Sequence, residues 1–188
     1  MQRTQKAIRE GFLSLLNEVP FDKITVIEIA ARCDINRNTF YYYYGDIFSL
    51  VEDVLQTETR HIRELDITGD TWADVYKQVT AFARANQKAL FNLYNSQHRA
   101  RLESFLYESF LAGLEPFLSK QAVDMGASQE DAHALAVFYA SALTGLTVRW
   151  MRGGMTADAD AYISRMSVLL GGSICRALQK SREGDASR

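Results

Sequence analysis

Two prolines and eleven glycines are all that the 188 residues contain, where average usage gives roughly 22 of the two together. So few backbone breakers exclude a collagen-like, linker-rich or disordered chain, and they argue against a turn-dense β-sandwich. Cysteine is scarce too. Cys33 and Cys175 make neither a disulfide framework nor a metal-ligand spacing, as expected in a reducing cytosol; both read as small packing residues, with oxidation sensing by Cys33 the alternative. His61, His98 and His133 stand apart in sequence, so no metal is expected and each reads as a surface or hydrogen-bonded histidine. Charge of one sign is missing as well: 21 basic residues oppose 23 acidic ones, for a formal charge of -2, a total that does not announce nucleic acid. The N-terminus does not read as a secretory signal, and there is no run of 18 or more apolar residues to span a bilayer. The expectation is a soluble, all-helical, cytoplasmic protein with no membrane partner and no cofactor.

What is present is helical periodicity. Ile8, Phe12, Leu15, Leu16 and Val19 recur at spacings of one, three and four between Thr4 and Val19, ahead of the breaker Pro20. Thr25 precedes Glu28 by three residues, a capping-box signature that predicts a helix over Val26 to Cys33. Asp34 suits a sharp left-handed turn, and Asn36 is a good N-cap for a helix over Arg37 to Tyr44, stopped by Gly45. Two short helices across a three-residue turn make a helix-turn-helix candidate over about residues 25–44. A further helix should run from Asp46 to Arg63. The Gly- and Asp-bearing stretch from Glu64 to Asp70 marks the boundary between an N-terminal domain over residues 1–63 and a larger helical one over 70–182, with a tail at 183–188. In that second part the patterns predict helices over Thr71–Gln87, Arg99–Met125 with a kink or break at Pro116, one capped by Ser128 and ended by Gly153-Gly154, and a last one over Ala157–Lys180.

On the short helix, Phe40 and Tyr44 lie four apart and should face inward with Ile8, Ile29 and Ile35. Arg37, Asn38, Tyr41, Tyr42 and Tyr43 then lie wholly or partly outside. Arg and Asn at a helix start can form bidentate hydrogen bonds to guanine and adenine in a major groove. Tyrosines can reach phosphates and thymine methyl groups, and Thr25 at a helix start can reach a phosphate. The plainer alternative is an aromatic wedge with Arg37 and Asn38 merely solvated. The expected DNA-contacting set is Thr25, Asn36, Arg37, Asn38, Thr39, Tyr41, Tyr42 and Tyr43.

Across Arg3 to about Arg60, through Ile29-Ala30, the turn, the Thr39 to Tyr44 run and Leu50, the chain resembles the DNA-binding domain of TetR-type regulators. The resemblance implies that Tyr41 contacts the DNA backbone, that Tyr44 packs beneath the motif, and that Arg37, Asn38, Tyr42 and Tyr43 lie on the recognition helix. It also matches Thr25 to a common phosphate contact. Asp34 stands where that family usually has glycine, and Ile47 where it usually has a phosphate-binding lysine. The fold so implied is all-α, an N-terminal three-helix DNA-binding domain followed by a larger helical domain for dimerisation and effector binding. Phe138 to Leu146, then Arg149-Trp150 and Gly153-Gly154, are similar to a subgroup that includes regulators linked to dihydroxyacetone kinase genes.

Small residues among leucines on the last two helices suit close helix approach between subunits, so Ala142, Gly145, Leu146, Trp150, Leu170 and Ile174 are the expected dimer interface; an intrachain core is the alternative. Phe82, Asn86, Phe91, Tyr94, His98, Phe105, Phe110 and Tyr139 are the candidate lining of an effector pocket, or else a plain aromatic core. No paired carboxylates, phosphate loop, nucleophile signature or zinc motif supports an enzyme. The expected function is a dimeric, sequence-specific transcriptional regulator acting as a repressor on a palindromic duplex, with a small-molecule effector. The alternative is a helical adaptor or co-activator that binds protein.

Overall fold

The computed structural model describes residues 2–58 and 72–185, and every regular element among them is helical. They are α1 (Gln2–Glu18), α2 (Val26–Arg32), α3 (Arg37–Tyr43), α4 (Ile47–Glu58), α5 (Trp72–Ala85), α6 (Gln87–Tyr94), α7 (Arg99–Met125), α8 (Gln129–Arg152), α9 (Ala159–Leu169) and α10 (Ser173–Asp185), with a 3-10 turn at Phe21–Lys23. The chain forms two compact units, residues 1–61 with 83–102, and residues 62–82 with 103–188. The expected boundary at residues 64–70 lies outside the described residues.

In the first unit Ile8, Phe12, Ile29, Phe40, Phe48 and Leu50 are fully buried. Residues 83–102 join them, although the sequence division assigned this segment to the second domain. The side chain of Asn92 donates to the carbonyls of Leu16 (2.9 Å) and Val19 (3.2 Å), which satisfies orphan acceptors at the end of α1. The His98 ring meets Phe21 edge-on at 5.2 Å and stacks on Phe48 at 5.6 Å, while the Arg101 guanidinium lies 4.0 Å from the Phe48 ring centre.

The second unit has its own core, built from Tyr76, Phe110, Leu114, Leu118, Ala136, Tyr139, Leu143, Ile163 and Leu178. Two sequence expectations differ here, and a third in the first unit. Pro116 does not break the pattern into two helices: α7 runs on through it. The lost hydrogen bond costs one link, and Leu114, Phe117 and Leu118, buried on both sides of it, hold the helix down. Conversely, the single helix expected over 157–180 is two, because Leu170 to Gly172 form a stop in which Gly172 takes φ 70°. The pattern ending at Gln87 also hid α6, which begins one residue beyond the cap at Asn86.

By length and mean hydropathy (1.2 over 18 residues) α8 is apolar enough to cross a bilayer, yet 39% of that window is buried inside the chain. Its inner residues Ala136, Tyr139, Ala140, Leu143 and Thr147 belong to the helical interior, which accounts for part of that apolar character without a membrane.

Candidate nucleic-acid interface

The helix-turn-helix is set by local chemistry. At the start of α2 the Thr25 and Glu28 backbone amides and side chains satisfy each other: the Glu28 N–H donates to the Thr25 Oγ1 (3.3 Å), and the Thr25 N–H donates to Glu28 Oε2 (2.8 Å). The turn after α2 uses Asp34 at φ 53°, the left-handed region that its short polar side chain tolerates. Asn36 then caps α3, its Oδ1 accepting from the Thr39 N–H (2.8 Å) and the Thr39 hydroxyl (3.0 Å). Phe40, on the inner side of α3, is completely buried.

Beneath α3 lies a polar anchor. Asp53 on α4 accepts from the Arg9 guanidinium of α1 at 3.0 Å and from the Tyr44 hydroxyl at 2.5 Å. Burial pushes the Asp53 carboxyl up, but these two donors outweigh it and hold it below the usual carboxylate range. Burial and the same hydrogen bond raise the Tyr44 phenol above its ordinary value. Two helices, α1 and α4, and the residue that ends α3 thus meet at one carboxylate.

The eight residues expected to meet DNA divide into two groups. Thr25 is exposed, but its hydroxyl donates to Glu28 Oε2 at 2.8 Å, so it serves the capping box and places a carboxylate beside the spot assigned to a phosphate. Asn36 and Thr39 are likewise engaged with each other. Tyr43 is half-buried, its ring edge-on to Tyr42 at 4.9 Å. Arg37, Asn38, Tyr41 (53% exposed) and Tyr42 (71%) point outward, and among the described residues none has a hydrogen-bond or ion-pair partner. A residue the sequence reading missed is Ile27 on α2, 58% exposed; its i+2 position after Thr25, off the buried Ile29-Ala30 face, was the available signal.

Charge is spent inside the unit. Of the cations within residues 2–58, Arg9 pairs with Asp53 (3.0 Å), Arg32 with Glu18 (2.7 Å) and Lys6 with Glu10 (3.7 Å). The Arg32 guanidinium and the Ser14 hydroxyl together draw the exposed Glu18 carboxyl down to about 2. Arg3, Lys23 and Arg37 have no such partner among the described residues.

The aromatic set expected to line a pocket is divided between the two units. Asn86, Phe91, Tyr94 and His98 belong to the first unit, and Phe82, Phe105, Phe110 and Tyr139 to the second. Phe110 and Tyr139 are core, with the Tyr139 hydroxyl 2.7 Å from the Ser173 hydroxyl. Phe91 is exposed, and Tyr94 is buried with Arg99 over its ring. The spacing of these rings is that of helix faces turned to a core. A cavity of about 360 Å³ does exist in the second unit, between α5, the end of α8 and the start of α9, and it is lined by different residues. Of the residues expected at a dimer interface, Ala142 and Gly145 are exposed and Leu146 and Leu170 half-buried. Trp150 and Ile174 instead face inward, Trp150 donating its indole N–H to the Ala157 carbonyl at 2.9 Å.

Residues 8–54 match the family model "Bacterial regulatory proteins, tetR family", and residues 70–172 match "Transcriptional regulator C-terminal region". A segment of 55 residues is 34% identical to the uncharacterized HTH-type transcriptional regulator YxbF of Bacillus subtilis (strain 168), covering 29% of this chain and only 14% of that protein. Among solved structures, the dihydroxyacetone kinase operon activator DhaS superposes with a TM-score of 0.67 at 18% identity, over 90% of this chain and 96% of that one. The TetR family repressor AlkX from Dietzia sp. strain DQ12-45-1b, implicated in biodegradation of n-alkanes, gives 0.59 at 16% identity, over 92% and 98%. With matches covering both parts of the chain and a helix-turn-helix built as described, the protein belongs to the TetR family of transcriptional regulators.

Proposed function

We propose that this regulator is a homodimeric repressor that reads a palindromic duplex through α3 and loses or gains operator affinity when a small molecule occupies its second unit. The observation that carries the reading is the contrast within the motif. Thr25, Asn36, Thr39 and Tyr44 are consumed by capping and anchoring, while Arg37, Asn38, Tyr41 and Tyr42 are left outward and unpartnered among the described residues. Groups held on a preorganised helix with no internal partner are what groove recognition needs. Ile27 adds an apolar contact suited to a thymine methyl.

The dimer is supported by α8 and α9. Phe138, Ala142 and Gly145 form an exposed small and apolar stripe on α8, and Val168 (74% exposed) and Leu169 leave a second apolar patch on α9. A second copy covering these faces buries them in a four-helix arrangement and sets two reading helices about 34–36 Å apart or slightly more. The two structural neighbours bear opposite signs in their names, an activator and a repressor. Repression is proposed because occupancy of an operator suffices for it and calls for no surface that recruits polymerase. Such a protein works in the cytoplasm.

Selection from random duplex DNA tests the reading. An enriched inverted repeat is expected, together with a mass of two chains by light scattering at micromolar concentration. No enrichment would favour a protein-binding adaptor, a monomer would sink the dimer, and a reporter that rises when the protein binds its operator would reverse the sign.

A further inference from the structure

We propose that the cavity at the α8–α9 junction is the effector site, and that its ligand class is a small monocarboxylate with an aromatic or branched hydrocarbon body. This rests on the proposed ligand-dependent regulation and gives it a place and a chemistry. The walls are Tyr76 from α5, Leu146 and Trp150 from α8, and Tyr162 from α9, with Arg149 and Asp158 as the charged groups. At about 360 Å³ the cavity lies at the lower end of small-molecule sites, roughly 300–1,000 Å³, a volume that suits a body of one or two rings.

The site is built before any ligand arrives. Leu146, Arg149 and Trp150 share one face of α8 by their i, i+3, i+4 spacing. The loop that closes the cavity is tied back to that helix: the Trp150 indole N–H donates to the Ala157 carbonyl (2.9 Å), the Met155 N–H to the Trp150 carbonyl (3.0 Å), and the Thr156 hydroxyl to the Gly153 carbonyl (3.1 Å). To make this turn Gly154 and Met155 both adopt positive φ, 74° and 58°. A non-glycine residue there is strained, and the rest of the loop must hold it in place.

The two charged groups are not equivalent, and that decides the sign of the ligand. Asp158 is the N-cap of α9, its carboxylate accepting from the Ala161 N–H at 3.0 Å. Arg149 has no carboxylate or hydrogen-bond acceptor among the described residues. An unengaged guanidinium beside apolar and aromatic walls is a fork for a carboxylate. The amino terminus of α9 also borders the cavity and favours the same charge. The Tyr76 hydroxyl accepts from Thr147 Oγ1 at 3.3 Å, which fixes the orientation of a ring that walls the cavity.

The test uses the full chain with Trp72→Phe, which leaves Trp150 as the sole tryptophan and its emission as the reporter of occupancy. The probes are 3-phenylpropionate, 4-phenylbutyrate and cyclohexanecarboxylate, each paired with its neutral amide. At least one acid is expected to change Trp150 emission saturably below millimolar concentration, at least tenfold more tightly than its amide. Arg149→Gln should bring that ratio close to one, Arg149→Lys should restore part of it, and Ala157→Phe, which fills the cavity, should abolish binding of acid and amide alike. Flat titrations at millimolar acid, equal affinity for acid and amide, or a preference that survives Arg149→Gln would each overturn the site. Operator binding measured without probe separates the two levels: intact DNA selection with a flat titration sinks this site alone, and lost selection with a saturable titration sinks the DNA reading alone. Saturable binding that leaves operator affinity unchanged would remove the effector role.

Discussion

Asp53 is the residue on which the geometry of the reading helix converges, since it holds both Arg9 and the Tyr44 hydroxyl. Hydrogen bonds to a charged partner contribute about 1.5–3 kcal/mol each when a buried partner would otherwise be stranded. Asp53→Asn should therefore lower the urea unfolding free energy at pH 7 by about 2 kcal/mol. The sign of its pH dependence follows from the carboxyl being held below its unfolded value. The stabilisation is complete above the unfolded value, near pH 4, and drains away as pH falls through the lower folded value. The gap between wild type and Asp53→Asn should consequently hold from pH 6 to pH 5 and narrow from about pH 4 downward; a gap unchanged at the lowest pH would show that the carboxylate charge is not what the network uses. Arg37 makes a different residue-level prediction, because it lies outward and supports nothing inside. Arg37→Ala should leave unfolding unchanged and cost roughly 1–3 kcal/mol of operator affinity while relaxing preference at one base position. Unchanged affinity and preference would remove Arg37 from base readout.

Between elements, the approach of α1 to α2 depends on one absent side chain. A Cβ at Gly11 would stand 2.5 Å from the Cys33 sulfur and 3.3 Å from Arg32 Cγ, and that sulfur is held by its bond to the Ala7 carbonyl at 3.3 Å. Alanine in a helix gains up to about 1 kcal/mol over glycine, but overpacking costs about 1–3 kcal/mol. Gly11→Ala should thus destabilise on balance, and Cys33→Ala in the same chain should rescue it beyond additivity; two independent losses in the double-mutant cycle would defeat the contact. This packing also gives Cys33 a structural task in place of the sensing alternative, with burial pushing its thiol up and away from reactivity. Elements of this kind were legible in the sequence where the signal was local. The Thr25/Glu28 box, the Asp34 turn, the Asn36 cap and the inward Phe40 and Tyr44 follow from spacings of three and four. Local signals also misled where they serve two ends. Small residues on the last expected helix read as a close-packing surface, yet Gly171 and Gly172 among them form a helix stop, while Trp150 reads as interface and is a loop anchor. Long-range membership left no trace at all: nothing in the run around Asn92 says that its amide closes α1, 73 and 76 residues upstream.

At the scale of the whole molecule, the near-neutral charge acquires a mechanism. The N-terminal unit is not short of cations so much as short of idle ones: Arg9 and Arg32 are locked to carboxylates, and Lys6 shares an exposed i,i+4 pair with Glu10 that contributes little. Only Arg3, Lys23 and Arg37 within residues 2–58 meet DNA without first giving up an ion pair, which makes six per proposed dimer. Each phosphate neutralised contributes about -0.9 to the slope of log K against log salt, so the slope should be about -5 or shallower. Lys23→Ala should reduce it by about 2, one phosphate per protomer, and weaken all sequences alike without changing base preference. Binding of this kind leans on the outward aromatic and polar groups of α3 and on Ile27, whose contribution survives salt better than counterion release does. A slope of about -9 or steeper would require about ten phosphate contacts, more than the exposed Lys6 residues can add, and hence the opening of the Arg9 or Arg32 pairs on binding. If it is the Arg9 pair that opens, the Asp53 anchor breaks as the operator is engaged, and Asp53→Asn would strengthen DNA binding instead of merely weakening the fold. The salt titration of the two proteins side by side decides between a rigid reader and one that unlocks its own cations.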